Sequence, residues 1–197
     1  ELHLLPTLWF RNDWSAWIAA SNRATEKPIL NQTEFAASSS AVAVRHPLLD
    51  NYILSCEGEA PLLFTENETN HELLFPGQKN ESPYVKDGIN NCVVQGNQGA
   101  VNPDKQGTKV AAHYRLMVSP GQSATVRLRL SGQATAKSKS GTTKTAPSFG
   151  AEFDKTLALR LQEADEFYRS VTPPSVSPDA ATVMRQAIGG MLWSKQF

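Results

Sequence analysis

Residues 108–131 carry the pattern that most constrains the fold of this chain. An apolar face at period two is formed by Val110, Ala112, Tyr114, Leu116 and Val118. The alternation resumes at 126–130, and Ser119-Pro120-Gly121-Gln122 between the two runs fits a type II turn. Proline presets φ at the second turn position and glycine supplies the positive φ at the third. The pattern therefore predicts an antiparallel hairpin with one solvated face.

The rest of the N-terminal sequence also favours strands. Residues 2–10 form an apolar run broken by Pro6, which predicts a buried strand with Trp9 in the core. Residues 14–47 suggest short strands joined by loops, and the apolar runs 52–56 and 62–65 predict two more strands. We expect residues 1–131 to form one β-rich domain.

The periodicity changes after a segment rich in Ser, Thr, Gly and Lys. Residues 132–150 predict a flexible linker, because most of this segment has no large apolar side chain to anchor it. Residues 151–197 then predict two helices. The first has Asp154 as its expected N-cap and ends at Pro173-Pro174, and Ser177-Pro178 begins the second. Their apolar stripes comprise Leu157, Leu161, Ala164 and Tyr168 in the first helix, and Met184, Ala187, Ile188, Met191 and Leu192 in the second.

Two helices cannot bury their own apolar faces, so we expect them to pack on helices of a larger natural chain. The candidate interface residues are Ile188, Leu192, Trp193 and Phe197. Gly189 and Gly190 inside the second helix suggest the close approach of a neighbouring backbone. The alternative is a two-helix appendage that folds back on the sheet.

The composition excludes some classes of function. Lys+Arg and Asp+Glu both number 19, so no net charge attracts nucleic acid or an anionic membrane. No apolar run is long enough to span a bilayer. Cys56 and Cys92 belong to no metal-binding pattern, which predicts reduced thiols, no metal and a cytoplasmic location.

Two groups of residues could contact a ligand. The stretch FTENETNHELLF at 64–75 concentrates three glutamates around His71, which leaves three interpretations: a polar loop or interface, an oxygen-ligand metal site, or a sugar contact involving Asn67. Trp14 and Trp17 have polar neighbours, as expected of a carbohydrate-stacking platform, although core packing is an equal alternative. The sequence shows neither a nucleophile elbow nor a glycine-rich phosphate loop.

Several long stretches together resemble family-63 glycoside hydrolases, the family of the processing α-glucosidase I of N-glycan maturation, and their large bacterial relatives. The matching blocks, in order, are LHLLPTLWFRNDW, LLFTENETNHELLF, YVKDGINNCVV, AVNPDKQGTKVAAHY, FDKTLALRLQEADEFY and VMRQAIGGMLWSKQF. The segment 132–148 looks longer than in those relatives.

The resemblance implies a mostly antiparallel β-sandwich followed by an (α/α)6 barrel. This chain would contain the later part of the sandwich, the connecting helix and the first barrel helix. Such enzymes hydrolyse α-glucosidic bonds with inversion and without an organic cofactor, using two carboxyl groups of the barrel. The resemblance therefore places no catalytic residue in this chain, which would be an inactive fragment on its own. The expected substrate is an α-linked gluco- or manno-oligosaccharide.

Two other classes of function remain open at this level. One is a non-catalytic carbohydrate-binding β-sandwich that uses Trp14 and Trp17. The other is a structural interaction domain whose helices dock on a partner chain.

Overall fold

The computed structural model describes residues 1–12, 26–34, 39–132 and 149–194. The expected linker lies outside these residues over 133–148, as do Trp14, Trp17 and Phe197. The chain divides into two compact units, Glu1–Ser148 and Phe149–Phe197. The described part is a mixed α+β structure whose strand ladders are antiparallel.

Ten strands, two α-helices and a 3-10 helix (Gln98–Ala100) make up the described part of the first unit. The strands are β1 (Leu2–Leu4), β2 (Thr7–Trp9), β3 (Ile29–Thr33), β4 (Ser39–Arg45), β5 (Tyr52–Glu57), β6 (Leu62–Thr65), β7 (Gln106–Gly107), β8 (Lys109–Ala112), β9 (Tyr114–Leu116) and β10 (Leu128–Gly132). The helices are α1 (His71–Leu74) and α2 (Gly88–Gln95). The strands form a five-stranded sheet in the order β10-β5-β4-β3-β7, a three-stranded sheet in the order β2-β8-β6, and the pair β1-β9.

The pair β1-β9 and the pair β2-β8 form one continuous antiparallel ribbon. Leu4 lies opposite Tyr114 and Thr7 lies opposite Ala111, so the same register continues across Pro6. The Ala112 N–H donates to the Pro6 carbonyl at 3.0 Å, which preserves the ladder although proline has no donor of its own. The predicted strand with a break at Pro6 is therefore confirmed.

The two faces of this ribbon contribute to two different cores. One face carries Leu8, Val110, Ala112 and Tyr114 into a cluster shared with the five-stranded sheet. The buried members of this first cluster are Leu30, Val42, Val44, Cys56, Ala60, Leu62, Phe64, Val110 and Ala112. Because side chains alternate across a strand, the residues between them point the other way.

The second face of the ribbon packs against α2. Ala111, with Leu63 of the adjacent β6, lies in a cluster with Ile89, Cys92 and Val101. The layers are thus a five-stranded sheet, a three-stranded sheet and a short helix. Strand β8 is buried on both faces as a result, which the predicted one-sided hairpin did not anticipate.

Backbone contacts fix α2 in place. At Gly88, the first residue of α2, an added Cβ would lie 2.1 Å from the Ala100 carbonyl oxygen, so only glycine fits at this position. The helix ends at Gly96, whose φ of 71° is the left-handed conformation typical of a helix C-terminus.

The predicted hairpin at 108–131 is wrong, although its turn is confirmed. Gly121 has a φ of 72°, and the Gln122 N–H donates to the Ser119 carbonyl at 3.0 Å, as a type II turn requires. The two arms do not pair with each other, because β9 pairs with β1 and β10 pairs with β5. Each arm therefore pairs with a strand that is distant in the sequence instead of with the other arm.

The expected burial of residues 2–10 is also wrong at its ends. Leu2 and Leu4 are largely exposed, and Trp9 is 54% exposed instead of lying in the core. Trp9 belongs to β2, the edge strand of its sheet, and lies on the face directed away from the first cluster. The apolar run predicted the strand correctly, but the extent of each core decided which residues are covered.

The second unit contains α3 (Ala151–Val171) and α4 (Pro178–Trp193). The predicted start of α4 is confirmed, since Ser177 Oγ accepts from the Ala180 N–H at 3.2 Å and Pro178 occupies the first turn. The predicted N-cap of α3 is wrong. The cap is Gly150, and Asp154 lies in the first turn, where its charge favours the positive end of the helix dipole.

Neither α3 nor α4 contains a buried residue. Ala164 and Tyr168 of the predicted α3 stripe are half-buried, whereas Leu157 and Leu161 are exposed. The described helices of the chain include none that combines the length and apolarity needed to cross a membrane.

Candidate functional site

The polar loop, residues 66–87 between β6 and α2, contains most of the glutamate and histidine cluster. Asn80 is its centre: its Oδ1 accepts from the backbone N–H of His71 at 2.7 Å and of Glu72 at 3.3 Å. Its Nδ2 donates to Asn70 Oδ1 at 3.0 Å. Asn70 also caps α1, because the same Oδ1 accepts from the Leu73 N–H. The asparagines of this loop replace the backbone partners that a regular strand or helix would supply.

The three glutamates of the cluster each have a partner in the structure. Glu66 accepts from Thr108 Oγ1 at 2.8 Å, Glu68 accepts from Lys27 Nζ at 2.6 Å, and Glu72 accepts from the Asn80 N–H at 3.1 Å. Partial burial lowers the pKa of Lys27, but the hydrogen bond and charge of Glu68, together with the charges of Glu66 and Glu81, raise it overall. Lys27 therefore keeps its positive charge. Its contact with Glu68 joins the segment just before β3 to the polar loop.

Asn67 ties the polar loop to the end of the ribbon. Its Nδ2 donates to the Phe10 carbonyl at 3.0 Å, and its own carbonyl accepts from Asn12 Nδ2 at 3.2 Å. Its backbone N–H donates to Thr108 Oγ1 at 2.7 Å. The side-chain N–H is thus used within the protein. A sugar contact that combines Asn67 with Trp14 and Trp17 stays a prediction, because both tryptophans lie outside the described residues.

Three buried side-chain oxygens have no hydrogen-bond partner within the described structure: Asn12 Oδ1, Thr65 Oγ1 and Asp87 Oδ1. Thr65 lies in β6, Asn12 follows β2, and Asp87 directly precedes α2. No group of three His, Cys, Asp or Glu side chains in the described ranges is arranged to hold a metal ion.

A second polar cluster lies at the far end of the ribbon, in and next to β1 and β9. His3 Nδ1 and His113 Nε2 are 2.9 Å apart, and His3 Nε2 is 3.1 Å from Glu1 Oε1. Arg115 donates to the same Glu1 oxygen at 2.9 Å. Burial lowers the pKa of His113, and the positive charges of His3 and Arg115 lower it further. One shared hydrogen bond between two imidazoles requires that at least one of the facing nitrogens carries no proton.

Burial also raises the pKa of two titratable groups, one in the first cluster and one packed against it. It raises the pKa of Cys56 to about 11 and, with the charges of Cys56 and Glu57, raises that of Tyr114 to about 12. The Tyr114 hydroxyl donates to the Glu57 carbonyl at 2.8 Å, joining the ribbon to the five-stranded sheet. Cys56 and Cys92 are both unpaired, buried thiols. Cys56 stays protonated and therefore unreactive at neutral pH.

The turn between α3 and α4 encloses an open groove of about 820 Å³. Arg185 crosses it, with its guanidinium 2.6 Å from Asp165 and 4.6 Å above the ring centre of Tyr168. The hydroxyls of Thr172 and Thr182 donate to backbone carbonyls of their own helices. The contact between Arg185 and Asp165 joins the two helices.

The interface candidates of α4 occupy different surroundings. Ile188 is half-buried on the side that faces α3, whereas Leu192 is 62% exposed and Trp193 is 93% exposed. Phe197 lies outside the described residues. At Gly189 an added Cβ would lie 3.2 Å from the Tyr168 hydroxyl, the end of a side chain of α3. The expected approach of a backbone from a longer chain stays a prediction.

Sequence reasoning missed helix α2 and the His3–His113 contact. The helix had a local signal, since Asp87 precedes it and Gly96 follows it as a typical C-terminal glycine. The histidine contact had none, because 110 residues separate the two rings in the chain.

The chain is similar to part of a longer yeast protein. A Saccharomyces cerevisiae protein, uncharacterized protein YMR196W, is 33% identical to the chain over 217 aligned residues. The alignment covers 100% of the chain but 20% of that protein. The chain thus spans about a fifth of the length of this relative. No family model matches the chain, and no solved structure matches it.

Replacing Asn80 tests whether the cluster is a structural network. Asn80→Ala leaves the N–H groups of His71 and Glu72 without their acceptor, so we expect the free energy of unfolding to fall by about 1–3 kcal/mol. Asn90→Ala, at an exposed position of α2, is the matched control and should change it by less than about 0.5 kcal/mol. Urea unfolding of residues 1–197 measures both, and equal values would contradict the structural role.

The His3–His113 contact predicts a pH dependence of stability. Because the pKa of His113 is lower in the folded state, the unfolded chain binds more protons in the window from its unfolded value of 6.5 down to the folded value. The contribution of His113 to stability is thus fully present above that window. The free energy of unfolding should fall as the pH drops through it. Urea unfolding between about pH 7.5 and pH 5 measures the change. His113→Gln keeps a hydrogen-bonding group without titrating, so its pH dependence should be weaker, and equal slopes would contradict the assignment.

Proposed function

We propose that residues 1–197 are part of a longer polypeptide that hydrolyses α-linked gluco- or manno-oligosaccharides with inversion. In this proposal the first unit is the later part of a β-sandwich, and α3 and α4 are the connecting helix and the first helix of an (α/α)6 barrel. The family resemblance of the sequence suggests the reaction. The two antiparallel sheets, the exposed helices and the length of the yeast relative support the proposed architecture.

The observation that carries the proposal is the state of α3 and α4. The described residues 149–194 contain no buried side chain, although the two helices carry Leu157, Phe167, Val183 and Leu192 on their surfaces. Helices in water gain most of their stability from packing an apolar face. A longer polypeptide would supply that packing, and 80% of the yeast relative lies outside the matched region.

The first unit supports the proposed sandwich. Its five-stranded and three-stranded antiparallel sheets share one cluster, with Val42 and Cys56 from one sheet and Phe64 and Val110 from the other. Two sheets that bury their inner faces against each other are the general plan of a sandwich. The third layer, α2, covers part of the outer face of the smaller sheet.

The catalytic carboxyl groups belong to the part of the longer polypeptide outside this chain. An inverting glycosidase needs an acid and a base roughly 6.5–9.5 Å apart, with room for a water molecule between the base and the sugar. Glu66, Glu68 and Glu72 do not suit these roles, because each is held by a hydrogen bond within or near the polar loop. The proposed reaction needs no organic cofactor, and the unpaired thiols of Cys56 and Cys92 suit a cytoplasmic location.

The stereochemistry of the product tests the proposal. We expect the longer polypeptide to release a β-anomer from maltooligosaccharides or α-mannooligosaccharides, because inversion converts the α-linkage. Residues 1–197 alone should show no turnover. Proton NMR of the first product resolves the two anomers before they equilibrate. An α-anomer, or no turnover of either sugar series by the longer polypeptide, would refute the proposed reaction.

One observation favours carbohydrate binding without catalysis as a second candidate. Trp9 is half-exposed on the edge strand β2, and an exposed indole ring can stack on a sugar. If this interpretation holds, maltooligosaccharide should quench the tryptophan fluorescence of residues 1–197. Trp9→Ala and Trp14→Ala then distinguish the ring on β2 from the predicted platform with Trp17. A flat titration of the wild-type chain would remove this candidate.

A further inference from the structure

We propose that His3 and His113 form a histidine latch, which holds β1 against β9 and releases it when both imidazole rings are protonated. The rest of the first unit stays folded in the released state. A loss of global stability on protonation of His113 does not by itself say which part of the chain opens, whereas the histidine latch confines the opening to β1. The proposal does not depend on the proposed hydrolysis of glycosides.

Apolar packing contributes little to the position of β1. All three residues of this strand are exposed, with Leu2 at 53% and Leu4 at 39%. Among the described residues, the two core clusters and the side chains packed against them include none from β1. Leu5 packs against the second cluster and Leu8 packs against the first. The cores therefore hold the chain from Leu5 onwards and leave β1 to its polar contacts.

A chain of side-chain contacts supplements the backbone ladder between β1 and β9. Nε and Nη2 of Arg115 lie 3.0 and 2.9 Å from Glu1 Oε1. His3 Nε2 lies 3.1 Å from the same oxygen, and His3 Nδ1 lies 2.9 Å from His113 Nε2. His113 and Arg115 flank Tyr114, so they share the face of β9 that is directed away from the first cluster. Three register pairs and this polar chain thus join β1 to β9.

The contact between the two rings accommodates one proton on the facing nitrogens but not two. In the neutral pair, His113 Nε2–H donates to His3 Nδ1 while His3 Nε2–H donates to Glu1. With one positive charge, His3 donates from both of its nitrogens and His113 accepts. A second proton places an N–H on each facing nitrogen, so the hydrogen bond is lost. Two positive rings with centroids 5.0 Å apart then repel each other.

The charges around His113 oppose this second proton. Burial lowers the pKa of His113, and the positive charges of His3 and Arg115 lower it further. The hydrogen bond from Arg115, followed by that from His3, lowers the pKa of Glu1. Glu1 therefore stays ionised while the histidines titrate, but it already has Arg115 as a partner. One carboxylate cannot offset three positive charges, so the doubly protonated state favours release of β1.

The segment before β6 and the five-stranded sheet keep β9 in place when β1 leaves. The Pro61 carbonyl accepts from the His113 N–H at 2.9 Å, and the Tyr114 hydroxyl donates to the Glu57 carbonyl at 2.8 Å. Both bonds are independent of the charge on the imidazole ring. The titratable residue next to Pro61 in sequence is Glu59, which is exposed. Protonation therefore acts on the β1 side of β9.

The opening of the ribbon ends at Pro6. The Ala112 N–H donates to the Pro6 carbonyl, and Val110 and Ala111 of β8 are completely buried. Release of β1 consequently leaves β2, β8 and both cores intact, while the backbone groups of Tyr114–Leu116 lose their partners. A free strand edge of this kind can pair with another strand. The histidine latch thus makes the β9 edge available at low pH.

Hydrogen exchange of the chain, followed by NMR and corrected for the intrinsic pH dependence of exchange, tests the proposal. The opening constant of the β1 amides that pair with β9 should rise as the pH falls below 6.5, the ordinary value of the His113 side chain. The slope should approach about tenfold per pH unit, because the open state binds one more proton. The amides of Val110 and Ala111 should keep their protection. An opening constant of β1 that is independent of pH, or equal opening of β1 and β8, would overturn the proposal.

Two variants assign the effect to the histidine latch. His113→Gln removes the titrating ring, so the opening constant of β1 should lose its dependence on pH. His46→Gln is the matched control, because His46 accepts from the backbone N–H groups of Leu48 and Leu49, outside the histidine latch. It should retain the wild-type dependence, and the opposite result for either variant would contradict the assignment.

The imidazole C–H resonances of His113 provide a measurement that needs no substitution. Their titration should fall in the same pH range as the opening of β1, because one proton controls both. Titration of His113 without opening of β1, or opening of β1 in a pH range where His113 does not titrate, would overturn the proposal.

Discussion

The continuous ribbon of β1-β2 with β8-β9 is the element on which the rest of the first unit depends. Its two faces point into different cores, so a single pair of strands connects the five-stranded sheet on one side with α2 on the other. A slip of one residue in its register would exchange the two faces, moving Val110 from the larger cluster and Ala111 from the smaller one. The Ala112 N–H to Pro6 carbonyl bond holds this register where proline interrupts the strand.

The polar loop shows how side chains that suggest chemistry can serve a structural purpose. The 22 residues between β6 and α2, numbered 66–87, contain only the one-turn helix α1 and otherwise lack regular structure. Buried and half-buried backbone groups need partners, and Asn67, Asn70 and Asn80 supply them. The glutamates of the cluster are bound to Thr108, Lys27 and a backbone N–H. This distribution of contacts favours the loop interpretation over a metal site.

The helical unit differs from the first unit in what covers its apolar residues. Val110 and Phe64 are completely buried by sheets from within the chain. The helices α3 and α4 contact each other through Tyr168 and Arg185, and many of their large apolar residues, such as Leu157, Val183 and Leu192, are exposed. The proposed longer polypeptide would cover these residues, and the chain corresponds to a fifth of the yeast relative.

The sequence by itself determined the local elements. Period-two alternation predicted β8 and β9, Pro120-Gly121 predicted the turn, and Ser177-Pro178 predicted the start of α4, because each of these signals acts over a few neighbouring residues. Only the tertiary structure decided the pairing of β9 with β1, the exposure of Trp9 and the contact between His3 and His113. These depend on which distant segments meet, and a strand edge or an apolar face records that it needs a partner without recording which one. The two glycines of α4 show the same division, because their identity is local whereas the atoms near Gly189 and the open space at Gly190 are set by the packing of helices.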